Sequence, residues 1–173
     1  MSRLRLVIAV PALALAAAAC GNDSPTAPNS GALVFTAALS AQNEVPPVSN
    51  AESEARGSAT IFLDVQRDSA GAVTGSTATF SASLLSFPRG SSATLAHIHE
   101  GGAGVAGGVR VNTGLSPATA IQMPDGSGVL SVSGIPVNAT ITNAIIANPA
   151  GFYFNVHTPV NPGGAVRGQL VAQ

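Results

Sequence analysis

From Ser58 to Val65 the chain alternates without a break, placing Ala59, Ile61, Leu63 and Val65 on one face. A period of two sends successive side chains to opposite sides of a strand, so this stretch reads as a half-buried β-strand. Leu33–Leu39, Val73–Phe80, Val109–Val111, Gly128–Ser133, Phe152–Thr158 and Ala165–Val171 read as further strands, and Ser83–Phe87 continues or follows the one before it. Gln42–Val48 leaves the first strand in extended form, and Pro46 and Pro47 bar it from a sheet interior. Arg67–Gly71, Pro88–Gly90 and Asn161–Gly164 supply turns. The pattern breaks once: Ile141, Ala144 and Ile145 fall at helical spacing and predict a short helix over 138–147, capped by Asn138 or Thr140. The result is an all-β chain with one short helix.

The same parity organises the polar residues. In Thr94–Gly102, His97 and His99 share a face while Ala96 and Ile98 take the other. In Phe152–Thr158, the apolar Phe152, Phe154 and Val156 oppose Tyr153, Asn155 and His157. All three histidines of the chain therefore fall on faces turned away from the core. If the two strands are neighbours, the three imidazoles converge. Three neutral imidazoles suit zinc or copper, with the fourth position left to water, substrate or Glu100. The other reading is a polar network in which His97 and His157 bond the Glu44 loop or Asn155. Glu44 reads as a solvated loop carboxylate, or as one that reaches the histidines. Arg167 is placed to pair with Glu44 or Glu100, and Glu52 and Glu54 beside Arg56 read as solvated surface. No Ser/His/Asp arrangement follows from the spacing.

Composition supports the strands. Glycine (19) and proline (12) punctuate a chain rich in small and β-branched residues; with six Phe, one Tyr and no Trp, Val, Ile and Leu must fill much of the core. The glycine loop Gly101–Gly108 lacks the lysine of a phosphate-binding loop and has no βαβ setting, which excludes nucleotide binding on motif grounds. Arg3 and Arg5 followed by the uncharged run Leu6–Ala19 describe a signal peptide over 1–19. Cys20 is the expected mature N-terminus, because Ala17-Ala18-Ala19-Cys20-Gly21 resembles the lipobox of bacterial lipoproteins, although Ala17 replaces the usual larger aliphatic residue. A plain cut after Ala-x-Ala, giving a secreted soluble protein, is the alternative. As the only cysteine, Cys20 has no disulfide partner, which favours lipidation and a lipid anchor to the cell envelope. Residues 20–32 read as a flexible tether and 33–173 as the folded domain. Without the leader, five arginines face eight carboxylates and no lysine. That mild acidity argues against nucleic acid as a partner.

Four blocks resemble the CHRD domain, the family named after chordin: Ala41–Pro47, Ala96–Gly101, Asn155–Thr158 and Asn161–Leu170, in order across about 33–172. The resemblance implies a secreted β-sandwich module and no settled biochemical activity; the leading reading of the chain is a non-enzymatic envelope or extracellular binding module, with an extracellular protein or polysaccharide as partner. His97-Ile98-His99-Glu100, His157 and Gly164–Arg167 are also similar in order to the copper-ligand strands and active-site arginine of copper/zinc superoxide dismutases. That likeness implies an antiparallel Greek-key sandwich and, as the competing function, a copper or zinc protein with a dismutase-like redox role. With three histidines and no disulfide, such a dismutase would be zinc-free and three-coordinate.

Overall fold

The computed structural model describes residues 31–173, so the signal segment, Cys20 and nearly all of the tether lie outside the described residues. The strands are β1 (Gly31–Ser40), β2 (Arg56–Arg67), β3 (Val73–Leu85), β4 (Ser91–Ala93), β5 (Leu95–Glu100), β6 (Val109–Asn112), β7 (Ile121–Met123), β8 (Gly128–Asn138), β9 (Phe152–His157), β10 (Val166–Gln169) and β11 (Val171–Ala172). One helix, α1 (Ala139–Ala147), interrupts them, with the Asn138 side chain accepting from the Ile141 N–H as its cap. The 139–147 helix thus forms as its periodicity predicts.

Strands run antiparallel in the order β6-β5-β9-β10-β1-β2-β3-β8, and β11 also pairs with β1. β4 and β7 form a separate small ribbon. Strands β1, β2 and β3 make a meander whose inner positions, Phe35, Ile61, Leu63, Phe80 and Leu84, are all buried. The chain crosses to the other half for β5, returns for β8, and crosses again through α1 to insert β9 between β5 and β10. Phe80 of β3 stacks on Phe154 of β9, ring centroids 5.7 Å apart, so the inner faces of the two halves meet in one core. The result is a β-sandwich with crossovers of Greek-key kind.

Three local readings need correction. Gln42–Val48 does not run extended throughout, because Ala41–Asn43 form a 3-10 turn that Ser40 caps. The closing strand breaks at Leu170, which turns fully into the core between β10 and β11. Most important, the polar face of the histidine strands is not solvated. Every residue of β9 is buried, and His97 and His99 are buried as well. Loops cover this face from outside, giving the domain a second, polar interior.

Candidate metal centre

The register fixes who meets whom. His97 of β5 lies opposite Asn155 of β9, which lies opposite Arg167 of β10; in the next row His99 lies opposite Tyr153, and Tyr153 opposite Gln169. These two rows and His157 make a polar floor on adjacent antiparallel strands. Side chains directly opposite approach within about 5 Å, so the pairing converts strand parity into a cluster. One ring nitrogen from each of His97, His99 and His157 lies within 4.8 Å of the others. It is the one such group of three or more His, Cys, Asp or Glu side chains among the described residues.

The partners decide the tautomers. His99 donates from Nδ1 to the Gly107 carbonyl at 2.9 Å, and His157 donates from Nδ1 to the Pro162 carbonyl at 3.0 Å. Each therefore keeps a lone pair on Nε2. The Nε2 of His157 accepts from His97 Nδ1 at 3.1 Å, whereas the Nε2 of His99 is buried with no hydrogen-bond partner. A buried, unpartnered imidazole acceptor is costly, and a cation between the rings would satisfy it. Metal–nitrogen bonds of about 2.0–2.1 Å need ligand atoms roughly 3.3–4 Å apart, so small side-chain shifts would close the set around an ion. His97 would then give up its hydrogen bond to His157 and carry its proton on the nitrogen turned away from the metal. Burial pushes His97 down to about 4, helped by the like charges of His157 and His99. Burial also lowers His99 and His157, against the opposing pull of their carbonyl bonds. All three are neutral near pH 7, the form that binds metal.

Three loops roof this floor. Gly101–Gly108, the stretch set aside as a nucleotide motif, supplies the Gly107 carbonyl to His99 and donates the Gly107 N–H to the Tyr153 hydroxyl oxygen at 3.1 Å. Tyr153 stacks on the His99 ring at 4.9 Å and 10°. Arg167 lies 4.3 Å over the Tyr153 ring and donates to the Asn43 carbonyl at 2.7 Å and the Val105 carbonyl at 3.0 Å. It joins the 41–48 and 101–108 loops rather than pairing with an acid. Glu44, read from the sequence as solvated or as reaching the histidines, is buried, and its carboxyl is pushed up to about 7 by burial, with Arg167 opposing. A Cβ at Gly164 would sit 2.7 Å from both the Glu44 carboxyl and the Asn155 amide, so the absence of a side chain there lets the roof close.

A family model for the CHRD domain matches residues 35–170. The chain belongs to the CHRD-domain family. No curated protein and no solved structure matched. The four blocks that carry the CHRD resemblance do not scatter over the sandwich: the first supplies roof, the two histidine blocks supply floor, and the last supplies both, the turn after β9 and the floor residues Arg167 and Gln169.

Not every expected residue arrives at the CHRD domain's polar interior. Glu100 sits at an even position of β5, opposite in parity to the histidines, and its half-exposed carboxylate holds Arg110 at 2.7 Å. It is neither a fourth ligand in this arrangement nor a partner of Arg167. Glu54 is exposed as expected, but Glu52 is fully buried. Tyr153, Gly107 and Glu52 are the residues that sequence reasoning passed over. For Tyr153 the signal was present, since it shares parity with Asn155 and His157.

Proposed function

We propose that this CHRD domain is the folded part of an exported metalloprotein that holds one copper or zinc ion on His97, His99 and His157. The observation that carries the reading is the convergence of three neutral imidazoles, two of them with Nδ1 anchored on backbone carbonyls and one with an unpartnered buried Nε2. An all-imidazole set favours Cu(II) over zinc on intrinsic affinity. Asn155, Arg167 and Glu44 surround the site without entering the ligand set. The role is binding; no group in the cluster is assigned a reaction.

The test is a Cu(II) and Zn(II) titration of protein prepared without a histidine tag. Because Tyr153 is the only tyrosine and the chain has no tryptophan, its emission comes from a ring stacked on His99 and should be quenched as Cu(II) binds. Uptake of one ion per chain is expected, and His157→Ala should weaken it at least 100-fold. Failure to take up either metal at micromolar concentration sinks the reading, and an unchanged His157→Ala moves the site elsewhere. For localisation we infer a lipid anchor on Cys20, supported by the basic and apolar leader and the single cysteine. Cys20→Ala should release the protein from the membrane fraction; retention there would mean that something else attaches it.

A further inference from the structure

Glu52 lies in the loop between β1 and β2 and is fully buried, although its neighbours Ala51 and Glu54 are exposed. Its backbone N–H is fixed by the Asn50 side chain at 3.0 Å. Its Oε2 accepts from the Thr158 hydroxyl at 2.7 Å and from the Asn161 amide at 2.6 Å. Asn161 also exchanges hydrogen bonds with the Asn50 side chain. One carboxylate thereby grips both ends of the turn that follows β9. Directly after the second of these ends comes Pro162, whose carbonyl accepts from His157 Nδ1. The turn is closed from within by Asn161 N–H donating to Thr158 Oγ1, at 3.0 Å, and by the backbone pair Thr158 and Asn161.

We propose that Glu52 is a positioning residue for His157. It holds the 158–162 turn so that the Pro162 carbonyl faces Nδ1, which keeps the proton on Nδ1 and leaves Nε2 as the donor atom toward the cluster. The reach is long in sequence, since Glu52 and Thr158 stand 106 residues apart, and short in space. Partners that fix the tautomer and ring direction of a metal-binding histidine typically change metal affinity about 10- to 100-fold when removed. A buried carboxylate is also an expensive way to tie down a surface turn, because an acceptor that needs no charge would do. Setting the carbonyl that orients His157 gives the residue a task beyond holding the turn. The copper-affinity part of this proposal rests on the three-histidine reading above; the tautomer part does not.

The experiment compares wild type, Glu52→Ala and Glu52→Gln in two measurements. The first is the His157 tautomer in the metal-free protein, read from nitrogen-15 NMR of the imidazole; the second is the Cu(II) dissociation constant with the Cu(II) electron paramagnetic resonance spectrum. Wild type should show the Nδ1–H tautomer. Glu52→Ala should mix the tautomers, raise the dissociation constant about 10- to 100-fold and alter the copper spectrum. Glu52→Gln keeps an acceptor oxygen and should stay close to wild type in both. A folded Glu52→Ala protein with an unchanged tautomer and unchanged copper binding overturns the proposal. If that variant does not fold, Thr158→Val, which removes one of the two grips, carries the same comparison. A wild-type protein that takes up neither copper nor zinc defeats the metal reading alone, and the tautomer measurement then decides for Glu52.

Discussion

Arg167 and Glu44 share one small region without forming an ion pair. Arg167 is 2% exposed; it donates from Nε and Nη1 to two backbone carbonyls, keeps Nη2 buried without a partner, and lies over the Tyr153 ring. Glu44 keeps one carboxyl oxygen buried without a partner. A desolvated carboxyl in that position favours its neutral form, which is why it is raised to about 7 from an ordinary 4.5. The folded protein therefore holds that proton more tightly than the unfolded chain. Its contribution to stability is in place below pH 4.5 and is lost as pH rises through about 7. The imidazoles run the other way. Their contributions are in place above pH 6.5 and are lost as pH falls, for His97 through about 4. Three groups outweigh one, so the metal-free protein should lose stability between pH 7 and 4. Glu44→Gln, which keeps the neutral shape, should show a higher urea midpoint than wild type at pH 8 and little difference at pH 5. Equal midpoints at pH 8 would mean that the carboxylate is compensated in ionised form.

Strands carry the floor of the site and loops carry its roof, and the two were unequally legible. The floor follows from a period of two, which alone placed His97, His99, Tyr153, Asn155 and His157 on matching faces. Pairing of β5 with β9 turned that parity into contact. The roof has no periodicity to read. Gly101–Gly108 looks like a generic flexible loop, yet Gly107 sits where a Cβ would fall 1.6 Å from the Glu100 carbonyl oxygen. A side chain there must displace either the Glu100 carbonyl or Gly107 itself, whose own carbonyl holds His99. Gly107→Ala should accordingly cost about 1–3 kcal/mol of stability and weaken copper binding roughly 10- to 100-fold. Gly102→Ala, with nothing within 4 Å, is the matched control and should change neither. Thermal denaturation and copper titration of the two variants check this, and equal behaviour would remove the loop from the site. Glu52 was misread for a related reason. A charged residue in a Ser/Asn/Glu-rich stretch is ordinarily solvated, and the donors that bury it come from Thr158 and Asn161, far along the chain.

At the scale of the molecule, a single sheet folded onto itself makes two interiors with different chemistry. Between the halves lies an apolar core built largely of Val, Ile, Leu, Ala and Phe. Outside β5, β9 and β10 lies the polar layer, sealed by three loops that Arg167, Tyr153 and Glu52 tie down. No cysteine occurs in residues 31–173, so packing and these ties hold the sandwich without a disulfide. Among the described residues no helix is long and apolar enough to cross a membrane. The family membership was readable because its four blocks are also the parts that build the polar layer, whereas the crossovers through β4, β7 and α1 carry no such mark.

The place of β1 has a consequence for timing. It pairs with β2 on one side and with β10 and β11 on the other, so the two halves of the sheet stay unjoined until β10 is in place. His97 and His99 can be made and delivered early, but the strand that brings His157 and the turn that orients it come late, and Arg167 comes later still. Contacts this distant in sequence form slowly and together. A chain threaded from its N-terminus through any narrow passage would therefore carry its histidines as separate, weak ligands until the end. On the three-histidine proposal, an ion held by all three rings is therefore taken up only where β5 and β9 have already paired.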